Sequence, residues 1–376
     1  MKTVGIICEY NPFHNGHIYH LQKIKEMYPE SLIVLVMSSS FTQRGEISIL
    51  NKWEKTEIAL NYGIDLVVEL PFVYATQGAD IFSYGAIKLL KELKVDTIVF
   101  GSESNNPSEL IDIANIQLCN KDYNKLVKSY LDKGNNYPTA LSLAIQDIYQ
   151  KTINLPNDLL GLAYTKEIIK QKANIEIVPI QRTNDFHNKE LNDSIASASA
   201  IRNNLNNSDI SKYVPTLSYS YLQAKKPNNN YFSFLKYKIL SEQEQISKYQ
   251  TVDEGIHNRI LKYIDKVNSI DELIEKIKTK RYTYNKLNRM FTHILCGFTK
   301  EEARQIEINY IRVLGFSKKG ISHLNKIKKD TGIPIITNLK KEYEYLLKTE
   351  IKIDKIYSFI TNDKTNDYLR KPIKFN

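Results

Sequence analysis

Two histidines flanking an asparagine and a glycine, His14-Asn15-Gly16-His17, are the residues of this chain best placed to do chemistry. They follow a short apolar run, Val4 to Cys8, that reads as a buried parallel strand. Pro12 lacks an N–H and biases Asn11 away from helix, so Glu9-Tyr10-Asn11-Pro12 must turn. Ile18, Leu21 and Ile24 then recur at helical spacing. The junction of a turn and a helix start suits an anion, because the first helical N–H groups lack partners and the dipole favours negative charge. Gly16 leaves room for a phosphate or base to approach the backbone. His14 and His17 can donate hydrogen bonds to phosphate oxygens whose charge grows during displacement at phosphorus. A lone histidine near a turn is usually polar surface; the order strand, Asn-Pro-Phe, His-x-Gly-His, helix is what points to chemistry.

The elements that must hold this motif come from alternation of strand and helix over the first 185 residues. Apolar runs at 31–37, 65–70, 95–100 and 175–180 read as further strands, and 53–61, 78–93 and 159–170 as helices. In an open α/β sheet the loops beyond the strands' carboxyl ends face the ligand crevice. Ser38 to Glu46 is one such loop, with Arg44 beside Gly45 as a possible phosphate or carboxylate contact. Gly101-Ser102-Glu103 is another, where Gly101 would let the backbone lie against a base or ribose. Asn157 or Asp158 caps the helix that follows Pro156, and Gln181-Arg182-Thr183-Asn184-Asp185-Phe186-His187 returns to the crevice edge. Taken singly, a turn glycine, a capping asparagine or a loop arginine is ordinary structure. A second cluster, Ser194-Ile195-Ala196-Ser197-Ala198-Ser199-Ala200-Ile201-Arg202, sets two hydroxyls at a helix start with Arg202 three residues past Ser199. Hydroxyls, helix N–H groups and an arginine make a second phosphate cradle.

Composition bounds the rest. A length of 376 residues fits two domains or three, and 42% hydrophobic content can fill a sizeable core. Cys8, Cys119 and Cys296 are too scattered to be a metal set and read as reduced cytosolic thiols. The first residues run straight into the motif, unlike a signal peptide, and no apolar run approaches the ~20 residues that cross a bilayer. A cytoplasmic protein is expected. The net charge of +10 is unevenly shared: residues 201–376 carry 33 Lys and Arg against 19 Asp and Glu, and residues 1–200 carry 19 against 23. Compositional bias toward lysine would act on both halves, so the asymmetry points to a polyanion surface on the second.

Alternation stops near residue 215, and Lys225-Lys226-Pro227-Asn228-Asn229-Asn230 reads as a break. Helical patterns follow at 231–241, 256–267, 270–278, 285–296 and 299–308. The division expected is an α/β domain over 1–214 and a mainly α-helical basic domain over 215–376. Lys280-Arg281-Tyr282-Thr283-Tyr284-Asn285-Lys286-Leu287-Asn288-Arg289 mixes cations with aromatics, which suits phosphate contacts and base stacking. Leu314-Gly315-Phe316-Ser317-Lys318-Lys319-Gly320 reads as a basic turn before a helix, and the tail beyond Lys341 should pack back on the body.

The first motif resembles the His-x-Gly-His signature of the nucleotidyltransferase superfamily, and Ser197 to Arg202 resembles its Ile-Ser-Ser-Thr-x-Ile-Arg-like element, with Ala196 and Ser199 as departures. Together with Gln43-Arg44-Gly45-Glu46, Asp65 to Pro71, Phe100-Gly101-Ser102-Glu103 and Leu314-Gly315-Phe316, the set resembles the bacterial tRNA(Met) cytidine acetate ligase family along essentially the whole chain. The resemblance implies a Rossmann-like fold and an ATP-dependent ligase. It would join acetate to AMP, release pyrophosphate, and acetylate N4 of the wobble cytidine of elongator tRNA(Met). It implies catalysis by His14 and His17. Its ATP site would be Ile7-Cys8-Glu9-Tyr10-Asn11-Pro12-Phe13-His14-Asn15-Gly16-His17-Ile18-Tyr19-His20, with Gly101, Asn157, Arg182, Ser197 and Arg202. The tRNA contacts expected are Lys280, Arg281, Arg289, Lys318 and Lys319. Magnesium would travel with the triphosphate, since no dedicated metal-ligand set is present. The alternatives are a nucleotidyltransferase or acetate-activating ligase for a small molecule or protein thiol, which needs no basic helical half, and a non-catalytic RNA-binding protein, which needs no intact His-x-Gly-His.

Overall fold

Apolar runs of five to seven residues become the strands of a doubly wound sheet. The computed structural model describes residues 1–376 apart from 151–154, 183–194, 206–207, 226–229 and 306. The loop beyond Arg182 as far as Ser194, and Lys226 to Asn229 of the expected break, lie outside the described residues. In chain order the first half is β1 (Thr3–Cys8), α1 (Asn15–Met27), β2 (Leu32–Ser38), α2 (Lys52–Asn61), β3 (Leu66–Leu70), the single turn α3 (Phe72–Ala75), α4 (Ala79–Glu92) and β4 (Thr97–Ser102). Then come α5 (Pro107–Cys119), α6 (Lys121–Asp132), α7 (Tyr137–Tyr149), α8 (Pro156–Lys170), β5 (Glu176–Gln181) and α9 (Ala198–Asn204).

These five strands are parallel and lie in the order β5-β4-β1-β2-β3. The order reverses between β1 and β4, and a crevice opens there beyond the strand ends. Both faces are covered. Val34 and Val36 of β2 share one core with Leu89 and Leu162, while Ile33, Leu35 and Met37 share the other with Leu21, Ile24 and Ile58. Alternate side chains point to opposite faces, so a strand buried on both sides reads as an unbroken apolar run.

The second half begins with α10 (Thr216–Gln223), α11 (Tyr231–Ser241), α12 (Ile256–Tyr263), α13 (Ile270–Ile277), α14 (Tyr284–Cys296) and the five-residue α15 (Lys300–Arg304). Helices α11 to α14 enclose their own core, which includes Leu235, Ile260, Leu273, Phe291 and Ile294. The chain then does what its pattern past 215 did not predict and returns to the sheet as β6 (Ile311–Phe316), followed by α16 (Lys318–Ile327), β7 (Ile335–Ile336), α17 (Lys348–Thr361) and β8 (Ile373–Lys374). Strand β6 runs antiparallel beside β3, with Phe316 opposite Leu66, and β7 and β8 pair with its other edge. The stretch expected to be a basic turn is thus the end of a strand and the start of a helix. Arg312 hid it, because a charge inside a short apolar run is rare in a strand as buried as this one. The tail does pack back: Lys52 Nζ, on α2, pairs with Glu69 at 3.1 Å, Asp367 at 2.6 Å and Asp354. Among the described residues no helix is long and apolar enough to cross a membrane.

Candidate active site

Where β1 ends, the backbone turns through Tyr10, whose φ is +47°, and enters α1 with His14 as its N-cap. The two histidines cap the helix reciprocally. His14 Nδ1 accepts from Gly16 N at 3.0 Å, and His17 Nδ1 accepts from His14 N at 3.1 Å. Asn15 N donates to the Tyr213 carbonyl at 3.0 Å. The helix N–H groups expected to meet an anion directly are therefore already taken. An imidazole that accepts at Nδ1 carries its proton on Nε2, so each ring offers Nε2–H in place of the backbone donor it has capped. Burial pushes His14 down to about 3 and His17 well below its ordinary value, with the Arg182 guanidinium and, for His17, its histidine neighbours adding to the effect. Both rings are neutral near pH 7 and leave Nε2–H free of the capping bonds. Packing fixes them: the Phe13 ring stacks on His17 at 5.4 Å and Tyr10 meets it edge-on at 4.7 Å. Gly16 first makes room for His14, since a Cβ there would lie 2.8 Å from His14 Cε1.

The opposite wall comes from β4, β5 and α8. Arg182, just past β5, lays its stem across Gly101, where a Cβ would stand 3.3 Å from its Cγ. Its Nη1 donates to Asn157 Oδ1 at 3.4 Å. Asn157 is not the cap of α8. Pro156 takes the first helical position, and Glu103 accepts from Asn157 Nδ2 at 2.6 Å and from Asp158 N at 3.0 Å. Asp158 in return accepts from Ser102 Oγ at 2.5 Å and from the N–H groups of Glu103 and Ser104. Gly101, Asn157 and Arg182 thus meet beside the first motif, where the Arg182 charge disfavours protonation of His14, His17 and His20.

A third wall is α9. Ser197 caps it, accepting from Ala200 N at 3.1 Å. Arg202 Nη1 donates to the Asn11 carbonyl at 2.8 Å, and its Nη2 reaches Glu46 at 2.5 Å and Ser199 Oγ at 3.4 Å. Beneath the motif, Lys55 of α2 is 1% exposed and donates to the carbonyls of Glu9 at 3.1 Å, Ser38 at 2.6 Å and Ser39 at 2.8 Å. Burial lowers it to about 7. Sequence reading missed Lys55, Glu103 and Asp158 as parts of the site. The one signal for Lys55 was a lysine one helical turn from Lys52.

The basic residues divide. Lys280 and Arg281 are exposed on the loop before α14, and Arg281 pairs with Glu254 at 3.4 Å. Arg289 is half-buried and donates to the Gln43 carbonyl at 3.3 Å, on the loop after β2, so it reaches the rim of the site. Lys318 and Lys319 are exposed but lie elsewhere. Because β6 is antiparallel, its end falls at the start of β3, where Ser317 Oγ donates to Asp65 at 2.7 Å. That is the far edge of the sheet, about 17 Å away for a five-residue strand. Among the described residues no group of three or more His, Cys, Asp or Glu side chains could hold a metal. A cavity of about 140 Å³ lined by Ile113, Leu141, Ile145 and Leu162 is almost wholly apolar and is not where the motifs meet.

A model of the HIGH Nucleotidyl Transferase family matches residues 1–371. Over 360 residues the chain is 41% identical to the tRNA(Met) cytidine acetate ligase of Anoxybacillus flavithermus, covering 90% of each. It is 38% identical to that of Clostridium novyi, covering 99% of each. Its fold is similar to apo Thermotoga maritima TmcAL, with a TM-score of 0.91 and 28% identity over the whole of both chains. It is also similar to that protein bound with alpha-thio ATP, with a TM-score of 0.89 and 29% identity. Reciprocally capped histidines at the switch point of a parallel sheet, and a likeness that runs from end to end, lead to one assignment: the chain belongs to the tRNA(Met) cytidine acetate ligase family of HIGH nucleotidyltransferases.

Proposed function

We propose that the protein is an ATP-dependent ligase that activates acetate as acetyl-adenylate and acetylates N4 of the wobble cytidine of elongator tRNA(Met). The observation that carries this reading is the pair of neutral Nε2–H imidazoles beside Arg182. An acetate oxygen attacks the α-phosphorus of ATP, a bond to that phosphorus forms, and the bond to the bridging oxygen breaks with pyrophosphate leaving. Charge gathers on the phosphate oxygens, where His14 and His17 donate without losing protons. Acetate is a weak nucleophile, so holding it in line contributes the rest. The cytidine N4 then attacks the acetyl carbon, AMP leaves with its bonding pair, and N4 loses a proton to solvent. No step needs a cysteine or serine nucleophile.

Within this reading the Ile7 to His20 segment, Gly101, Asn157, Arg182, Ser197 and Arg202 bind ATP. Magnesium travels on the triphosphate, held mainly by phosphate oxygens and water. Residues 1–214 supply the chemistry and the basic part of 215–376 holds the RNA. Arg289, at the rim of the site, and Lys280 and Arg281, before the same helix, guide the anticodon loop, and Lys318 and Lys319 meet RNA phosphates at a distance. The protein works in the cytoplasm. The test is to incubate it with ATP, magnesium, radiolabelled acetate and elongator tRNA(Met) and digest the RNA to nucleosides. Label is expected in N4-acetylcytidine and only with magnesium. Pyrophosphate release with small acceptors and no labelled RNA would instead mark a small-molecule transferase.

A further inference from the structure

The turn Gln43-Arg44-Gly45-Glu46 stands out in the sequence, yet the reaction as written gives it no task. In the fold it touches three things at once. Gln43 N donates to the Glu9 carboxylate at 2.6 Å, at the mouth of the first motif. Glu46 accepts from Arg202 at 2.5 Å, while the same guanidinium donates to the Asn11 carbonyl at 2.8 Å. Gly45 lies against the backbone of α14: its φ is +79°, and a Cβ would stand 2.4 Å from Arg289 N and 2.6 Å from the Asn288 carbonyl oxygen. The Gly45 carbonyl also accepts from Thr292 Oγ1 at 2.7 Å, and that hydroxyl is fully buried.

A guanidinium on a flexible stem grips a phosphate well only if its fork is already aimed. Here one nitrogen is fixed by a carbonyl of the motif and the other by Glu46, whose turn is closed by Thr42 and packed onto α14. We propose that Glu46 is a positioning residue for Arg202, and that helix α14 of the basic half sets the nucleotide-gripping arginine through this turn. The proposal rests on the reading of Arg202 as an ATP contact. It makes the helical half part of the nucleotide site as well as a platform for RNA.

The test is ATP affinity, titrated on the full-length protein without acetate or RNA, so that it does not depend on the acetylation reaction. Glu46→Ala should raise the Kd for ATP about ten-fold, the scale of one hydrogen bond to a charged group. Glu46→Gln keeps an acceptor for Nη2 and should restore most of the affinity, which a loss of folding would not allow. Glu46→Ala combined with Arg202→Ala should bind no more weakly than Arg202→Ala alone, because the two act as one unit. Thr292→Val, which removes the contact to Gly45 and the one to the Tyr231 hydroxyl, should raise Kd about threefold. A Glu46→Ala variant that binds ATP as well as wild type, or more tightly, overturns the proposal; tighter binding would show that Glu46 competes with the triphosphate. Additive losses in the double variant overturn it too. If the wild type binds no ATP, the reading of the site itself fails and this inference falls with it.

Discussion

The two ends of the parallel sheet face opposite chemical problems and solve them with opposite charges. At the edge where strands begin, backbone N–H groups are left over. Asp96 accepts from Thr3 N at 2.8 Å and Asp65 from Ile33 N at 3.0 Å, each aspartate standing before the neighbouring strand. At the edge where strands end, carbonyls are left over, and Lys55 donates to three of them. The first edge is then finished: Asp65 also takes the Ser317 hydroxyl. The second edge is not, because the groups that cap its helix, His14 and His17, each keep one N–H to give. A sheet end becomes a site when its caps have a second function.

Removing one cap from each end breaks the comparison most sharply. Lys55→Met strands three carbonyls and Asp65→Ala strands an N–H and a hydroxyl, so each should cost about 3 kcal/mol of stability, measured by urea unfolding. Only Lys55→Met should also slow acetate-dependent ATP–pyrophosphate exchange, about ten-fold or more, because the Glu9 turn it holds leads into the motif. Equal losses of exchange in both variants would dissolve the distinction.

Charge gives the next effect. Lys280→Gln with Arg281→Gln should raise the tRNA KM about ten-fold and flatten the salt dependence of RNA binding by about one to two phosphate contacts. Lys318→Gln with Lys319→Gln, at the far edge, should change the KM less while flattening the salt slope similarly. A larger KM effect at the far edge would put the RNA's main contact there.

The smallest effect is on the pH dependence of stability. Burial holds His20 at about 4, against 6.5 in the unfolded chain. Between pH 6.5 and 4 the unfolded chain therefore binds a proton that the folded one does not, and stability falls as pH falls through that window. His20→Gln should reduce proton uptake on unfolding there by about one. Asp354, raised to about 8, works in the opposite sense but is common to both proteins and cancels. An unchanged uptake would mean that His20 is protonated in the fold.

The first motif was legible because everything that shapes it is local: a strand, a proline turn, a glycine and a helix start within twenty residues. Gly101, Asn157 and Arg182 read from their own residues as separate turn and cap positions, joined to the motif only by the family resemblance; the order of β5, β4 and β1 is what brings their strands beside it. What the histidines do with their Nδ1 atoms was hidden, because reciprocal capping depends on ring orientation and not on spacing. Lys318 and Lys319 were grouped with Lys280 and Arg281 because composition carries no direction. The antiparallel run of β6 decides which end of the sheet they occupy. Lys55 left almost no trace, since a lysine aimed at carbonyls looks in sequence like any other lysine on a helix.

The most direct measurement is acetate-dependent ATP–pyrophosphate exchange, set beside RNA acetylation, for wild type, His17→Ala and the Lys280→Gln/Arg281→Gln pair. The account predicts that His17→Ala loses exchange by about a hundredfold or more and RNA label with it. It predicts that the basic pair keeps exchange and loses only RNA label at limiting tRNA. Wild-type exchange in His17→Ala, or exchange lost in the basic pair, would contradict it.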